Sequence, residues 1–307
     1  MNTLKGTINK QGFINAVKKL NTAYQKSYGI IPIHIDCSER KSTLIITGSV
    51  ITTKQKKQLR QIITTYIPTS KLQVNVVEDV LTQPLRWVQT TKQITDLYTK
   101  PIPIEDLKEL IRKERNTQVE RGSILRELLR NTTYSLVQSM DLTLGWVQSS
   151  SLKPTKERWP LITRATRGIM IKASRQSIVN EALTWLEVPY LWGGNTRGGV
   201  DCSGYVQQVY FKATGLLLPK HSQDQKKCGV KILQRELLPG DLVFLDRKKD
   251  GFHHVGIFSG KGQLLHASLR QKKVVVWNIS LVRKLYSIVA VRRIVNGLSC
   301  FVGFKDL

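Results

Sequence analysis

Apolar positions along the chain change period several times, and each change marks an element. Phe13, Ile14, Val17, Leu20 and Tyr24 recur at helical spacing, with Gly29 placed to end that helix. Residues 30–36 and 43–52 read as strands, with Gly48 as a bulge. Residues 54–66 return to helical spacing until Pro68, and 72–77 alternate as a third strand. Together these predict a small α/β unit over residues 1–83. Between 84 and 154 the pattern breaks into short apolar segments separated by Pro101, Pro103 and Gly122, with 90–101 as the opening strand and its loop. Residues 155–173, which include Pro160 and several basic side chains, read as a linker. A helix is predicted over 174–187, with Ile178, Ala182, Trp185 and Leu186 on one face and Pro189 closing it. Tyr205, Val206, Val209 and Tyr210 supply the buried face of a second helix, and two runs flanking Gly260-Lys261-Gly262 predict a hairpin with a three-residue loop. The expected fold is α+β, with residues 174–307 as its last and largest unit.

Composition adds bounds. A chain of 307 residues has room for two or three domains, and a hydrophobic share of 41% is enough for packed cores. The formal charge of +26 and the pI near 10.1 change the picture more, because such a surplus attracts a polyanion: nucleic acid, anionic lipid or an acidic wall polymer. The last half carries about +15, residues 1–83 about +8 and the stretch between about +3, so the surplus belongs to two regions and not to a tail. No nucleic-acid motif or interleaved aromatic stripe accompanies it, which disfavours a specific nucleic-acid partner. Cys37, Cys202, Cys228 and Cys300 show no C-x-x-C spacing, so neither a zinc knuckle nor a thioredoxin motif is written, and free thiols are expected. The first 20 residues lack the core of a signal peptide, and no uncharged run approaches the ~18 apolar residues of a membrane span. A cytoplasmic protein is therefore expected, with the cell envelope or secretion as the alternative that the charge favours.

The candidate chemistry centres on residues 189–206, PYLWGGNTRGGVDCSGYV. Cys202 follows a glycine-rich turn and opens a predicted helix, where unpaired N–H groups and the helix dipole favour a thiolate. A helix end contributes at most about 2 kcal/mol, which brings a thiol from about 8.5 only to about 7. A cationic partner is needed beyond that, and histidine is the usual one. If Ser259 faces Gln263 across the predicted hairpin, then Phe258 faces Leu264 and Gly256 faces His266. His254 and His266 become diagonal neighbours on one face, with the glycine leaving room, and His253 falls on the other. A one-residue slip would part the pair. His221 reads as a loop residue, His34 and Cys37 as strand residues, Cys228 and Cys300 as structural, and Asp241 as a turn former.

Four segments, PYLWGGNTRGGVDCSGYV, LPKHSQDQ, LLPGDLVFL and HHVGIFSGKGQLLHAS, closely resemble in order and spacing the NlpC/p60 family of cell-wall cysteine peptidases over about residues 170–295. The resemblance implies a papain-like domain in which a helix bearing the nucleophile packs on an antiparallel sheet. It implies Cys202 as nucleophile, His254 as general base and acid, and His266 as the residue orienting His254. Tyr190, Asp201 and Ser203 would position substrate or oxyanion, and Trp192 and Glu114 would bind substrate. The implied substrates are peptidoglycan stem peptides, cut between D-γ-glutamate and a diamino acid through a thioester acyl-enzyme, with no metal and no cofactor. The Gly-Trp-Val near the end of residues 84–154 resembles bacterial SH3-like barrels, and residues 1–83 loosely resemble BON-type domains. Where such a barrel accompanies this catalytic domain, a tyrosine before Gly-Trp-Val and an upstream glutamate close over a free L-Ala amine. Here the tyrosine position falls at Thr143, and Glu114 or Glu120 matches the glutamate only loosely. Two other readings compete: a basic polyanion- or wall-binding protein with an incidental thiol, and an amidase or acyltransferase on the same scaffold.

Overall fold

The computed structural model describes residues 8–28, 33–40, 43–50, 53–68, 70, 72–78, 86–101, 114–159, 175–251 and 253–294. Gly29, the outer ends of the two predicted strands at 30–32 and 51–52, most of the expected linker, and Cys300 lie outside these. The fold is mixed α+β, built on three larger sheets and one two-stranded ribbon.

The first sheet belongs to the series α1 (Lys10–Tyr28), β1 (Ile33–Arg40), β2 (Thr43–Val50), α2 (Thr53–Tyr66) and β3 (Leu72–Glu78). Its strands run in the order β1-β2-β3, the first pair antiparallel and the second parallel through the α2 crossover. Phe13 and Val17 of α1 and Leu59 and Ile63 of α2, each pair four residues apart, meet Leu44, Ile46 and Val50 from one face of β2. The bulge expected at Gly48 is absent: it pairs in register with Ile35 on one side and Val76 on the other.

Seven strands make the second sheet: β4 (Arg86–Thr90), β5 (Ile94–Tyr98), β6 (Arg115–Glu120), β7 (Ile124–Arg130), β8 (Tyr134–Gln138), β9 (Leu144–Gln148) and β10 (Leu152–Pro154). Their order is β10-β4-β7-β8-β9-β5-β6. The opening strand is therefore β4, and the expected opening segment 90–101 holds the turn after it and β5. Trp146 is buried with Leu128, Leu136 and Leu144. The start of the expected linker is tied down, since Trp159 meets the Trp87 ring edge-on at 5.1 Å and donates Nε1–H to the Ile124 carbonyl at 2.7 Å.

The third unit starts with α3 (Arg175–Leu183), which ends four residues before the predicted boundary. Trp185, Leu186 and Val188 donate to carbonyls three residues back, and Glu187 turns left-handed at φ 68°, so the chain tightens and leaves the helix. Leu186 is consequently exposed, and Val179 takes the buried place expected for it. The ribbon β11 (Asn195–Thr196) and β12 (Gly199–Val200) leads into α4 (Cys202–Thr214) and the single turn α5 (Ser222–Gln225). The six-stranded antiparallel sheet follows: β13 (Val230–Lys231), β14 (Leu242–Arg247), β15 (His253–Gly260), β16 (Gln263–Ser268), β17 (Lys273–Asn278), helix α6 (Ile279–Leu285) and β18 (Tyr286–Arg293). The order is β13-β18-β14-β15-β16-β17. Odd residues of the central hairpin, Val255, Ile257, Leu265 and Ala267, pack with Tyr205, Val206, Val209 and Tyr210 of α4. Phe258 and Leu264 pack instead with Trp277 and with Val282 of α6, so the sheet is covered on both faces. Asp241, 1% exposed, does more than shape its turn: it accepts from the Leu238 amide and pairs with Arg175 and Arg293.

Gly145 shows how tightly the seven-stranded sheet closes. A Cβ there would lie 2.5 Å from the Cβ of fully buried Leu97. Gly145→Ala is expected to cost about 1–3 kcal/mol through forced separation of β5 and β9, read as a lowered thermal midpoint. An unchanged midpoint would mean that this contact yields freely.

Candidate active site

Cys202 occupies the first position of α4 because Asp201 caps the helix. The Asp201 Oδ1 accepts the Gly204 amide at 2.6 Å and the Ser203 hydroxyl at 3.0 Å, and Oδ2 accepts Lys220 Nζ at 2.7 Å. Gly204 is required, since a Cβ there would collide with the Gly194 carbonyl of the glycine-rich turn. Gly215 at φ 73° ends the helix by returning its amide to the Phe211 carbonyl. Lys220, from LPKHSQDQ, is 1% exposed, so its charge is compensated within the protein by Asp201.

The hairpin register holds at Ile257↔Leu265 and Phe258↔Leu264. Toward the turn a bulge intervenes, and Gln263 pairs with Gly260 in place of Ser259. The loop is two residues, Lys261 and Gly262 at φ 48° and 70°, the left-handed pair of a tight hairpin turn. Since the irregularity lies on the turn side of Phe258, the histidines are not displaced. His254 Nε2 and His266 Nδ1 stand 2.7 Å apart. His254 stacks on Tyr286 with ring centroids 5.6 Å apart, and His266 meets Trp277 edge-on at 4.6 Å. The crowding at Gly256 comes from the Leu264 side chain and the Leu265 carbonyl. His253 is exposed and bonds Asp246 at 2.7 Å.

The thiol meets this pair through the backbone, where the Val255 and Ser203 amides lie near enough to its sulfur to favour the thiolate. Val255 follows His254 directly, so the sulfur lies one peptide unit from the imidazole-bearing residue. Burial pushes the Cys202 thiol up to about 12, with Asp201 adding to the rise and Lys220 and the two amides opposing it. The low value expected from the helix end is thus overturned, because a sulfur 6% exposed loses more hydration than the dipole returns. His254 is pushed down to about 4, again by burial, and His266 well below its ordinary range by burial and by His254. Neutral thiol and neutral imidazole are therefore the resting forms.

Tyr190 adjoins Cys202 and Asp201, and burial together with these neighbours keeps its phenol protonated. The Trp192 side chain is exposed, while its carbonyl accepts Arg115 Nη1 from β6 at 3.1 Å. Glu114 is engaged by Thr99 and by Lys100, and Thr143 lies in a turn where it donates its amide to Asp141. The tyrosine beside Trp146 is Tyr98, which pairs with it across the sheet and donates to Asp96 at 3.2 Å. Asp96 holds Arg115 at 2.7 Å, and Gln207 of α4 donates to Asp141 at 2.7 Å. No sequence signal pointed to Arg115, Asp141, Gln207 or Lys220. Buried charges and amides of this kind look like ordinary surface residues until their partners, 66 or 77 positions away in two of these contacts, come together. Among the described residues no group of three or more acidic, histidine or cysteine side chains is arranged to hold a metal.

The comparisons bear on residues 187–293, which match the model of the NlpC/P60 family. This region of the chain is an NlpC/P60 family domain. The chain is 34% identical over 126 residues to the γ-D-glutamyl-L-lysine dipeptidyl-peptidase of Bacillus subtilis strain 168, covering 40% of this chain and 42% of that protein. It is 39% identical over 105 residues to the γ-DL-glutamyl hydrolase of the same strain, covering 34% and 25%. The chain thus spans less than half the length of either curated relative. A crystal structure of an NlpC/P60 family protein from Bacillus cereus ATCC 10987 aligns with 68% of this chain and 63% of its own, at 23% identity and TM-score 0.38.

Two outcomes are expected of the NlpC/P60 domain. Lys220→Met should slow alkylation of the Cys202 peptide by iodoacetamide by roughly tenfold, the effect of about one pKa unit, while Lys220→Arg keeps most of the rate; equal rates would deny Lys220 any hold on the thiol. His221, His254 and His266 all titrate below the ordinary histidine value. Between that value and their folded pKa the unfolded chain binds more protons, so stability is full above about pH 6.5 and is lost as pH falls toward 4. His254 alone, at about 4, contributes on the order of 3 kcal/mol. Thermal melts across that window check it, and a midpoint flat from pH 7 to 4 would contradict it.

Proposed function

We propose that the chain is a cysteine peptidase that hydrolyses peptidoglycan stem peptides at the D-γ-glutamyl–diamino acid bond. The observation that carries the reading is a buried cysteine at the first position of a capped helix together with a buried histidine pair, His254 standing 2.7 Å from His266. The γ-glutamyl bonds named for both curated relatives support the bond assignment. In the papain-like arrangement proposed, His254 donates Nε2–H to His266 Nδ1, which leaves His254 Nδ1 as the lone pair facing the thiol side. No hydrogen bond joins sulfur and imidazole among the described residues, and substrate binding closes that contact.

The proton of the neutral thiol passes to His254 as sulfur attacks the amide carbon. The resulting oxyanion is held by the Cys202 backbone amide and the Tyr190 hydroxyl. The imidazolium protonates the departing amine, and water then releases the acyl group from the thioester. Ser203 and Asp201 fix the start of the helix, and Trp192 lines the approach. Residues 84–154 are read as an SH3-like accessory barrel, residues 1–83 as a BON-like unit, and the basic surface as a hold on anionic wall polymer in the envelope.

Incubation with muropeptides and mass spectrometry of the products tests the assignment. Wild type should release fragments ending in D-glutamate, and Cys202→Ala should reduce the rate by at least about a thousandfold. Cleavage elsewhere, or cleavage that survives Cys202→Ala, would sink it, and transfer of the acyl group to an added amine would favour the acyltransferase reading. Because the base is neutral above about pH 4, kcat/KM should hold down to pH 5 and fall only near 4. An acid limb near 6.5 would show that His254 is not the buried neutral base.

A further inference from the structure

Away from the thiol, a cavity of about 370 Å3 lies between β6, the turn at 139–141, Trp159 and the flank of α4. Its size falls at the lower end of the ~300–1,000 Å3 range of small-molecule sites. Trp159 and Phe211 offer aromatic faces, the latter 40% exposed, and Asn195 and Gln208 line the cavity as a pair, Gln208 Nε2 donating to Asn195 Oδ1 at 3.2 Å. Charged groups on the lining are Glu120, Asp141 and Arg158, so this groove carries no cationic surplus in a chain of net charge +26. An anionic polymer is not its ligand. Gln207 spends its amide nitrogen on Asp141 and on the Leu218 carbonyl, at 2.7 and 2.6 Å. Its Oε1 is left buried with no partner among the described residues, as is Thr117 Oγ1 on the same wall. Such walls suit a neutral molecule with a ring face and several hydroxyl or amide donors.

Position narrows the class. Gln207 and Phe211 stand five and nine residues beyond Cys202 on α4, so the groove begins about 8 Å and extends to about 14 Å from the nucleophile along the helix axis. In a stem peptide the γ-glutamyl bond lies two residues from the sugar, and two extended residues span about 7 Å, lengthened by the lactyl group and the γ-linkage. Asp201 is already engaged by Gly204, Ser203 and Lys220 and is not presented to a free ammonium. Resting on the peptidase reading, we propose that the groove binds an N-acetylated amino sugar of the glycan strand, and that the enzyme therefore takes stem peptides still joined to glycan.

The test uses the full chain carrying Cys202→Ala and chitotriose, the trimer of N-acetylglucosamine, as probe. Saturation-transfer NMR should show contact at the acetyl methyl groups, and Phe211→Ala and Trp159→Ala should each weaken binding about tenfold, as loss of an aromatic anchor does. No saturation, unchanged affinity in both variants, or displacement of chitotriose by a free stem peptide would overturn the assignment. In the active protein, Phe211→Ala should raise KM several-fold for a glycan-linked muropeptide and leave the free tripeptide unchanged; equal effects on both would also overturn it. Chitotriose binding without any peptidase activity would refute the peptidase reading and leave the groove assigned, whereas cleavage without chitotriose binding would refute the groove alone.

Discussion

The Asp201 carboxylate carries the constraint on which the rest of the site depends. One of its oxygens ends a helix and the other holds a buried ammonium, so a single side chain sets where α4 begins, where the LPKHSQDQ segment docks, and what field the neighbouring sulfur feels. A carboxylate beside a thiol is a poor way to make a thiolate, since it raises the energy of the second negative charge. Lys220 offsets that charge at 2.7 Å, and the net result is a sulfur that stays protonated until a base takes its proton.

Burial works on both partners in opposite directions, raising the thiol and lowering the imidazole, because in each case it disfavours the charged form. A stable thiolate–imidazolium pair is therefore not the ground state. In the mechanism proposed, charge separation is confined to the moment of attack, when the developing oxyanion offers a third charge for the site to balance. His266, itself buried and neutral, is suited to hold the orientation of His254 without competing for its proton.

Much of this was legible in the chain. Helical spacing at Phe13 and Val17 and at Tyr205 to Tyr210 placed two buried faces, because the period reports burial directly. Strand parity brought His254 and His266 together even though the turn was misjudged, since a bulge beyond Phe258 leaves the register before it intact. Other elements were hidden for physical reasons. The end of α3 depends on Glu187 adopting a left-handed conformation that its residue type disfavours, while its amide donates to the distant Val274 carbonyl at 3.1 Å. The thiol's pKa depends on how deeply it is covered, which local sequence does not encode. Arg115, Asp141 and Lys220 matter through partners distant in sequence, and no periodicity carries that information.

The seam between the seven-stranded sheet and the glycine-rich turn has a consequence for modularity. Gly193, at φ 67°, leaves no room for a side chain because the Arg115 carbonyl would lie 2.5 Å from it, while Arg115, Gln118 and Asp141 each bond to the segment or helix that carries Cys202. The seven-stranded sheet is thus part of the mould in which the glycine-rich turn before Cys202 is cast. Exchanging it for another sheet of the same shape would transplant the architecture yet lose the turn's conformation, unless those three contacts travelled with it.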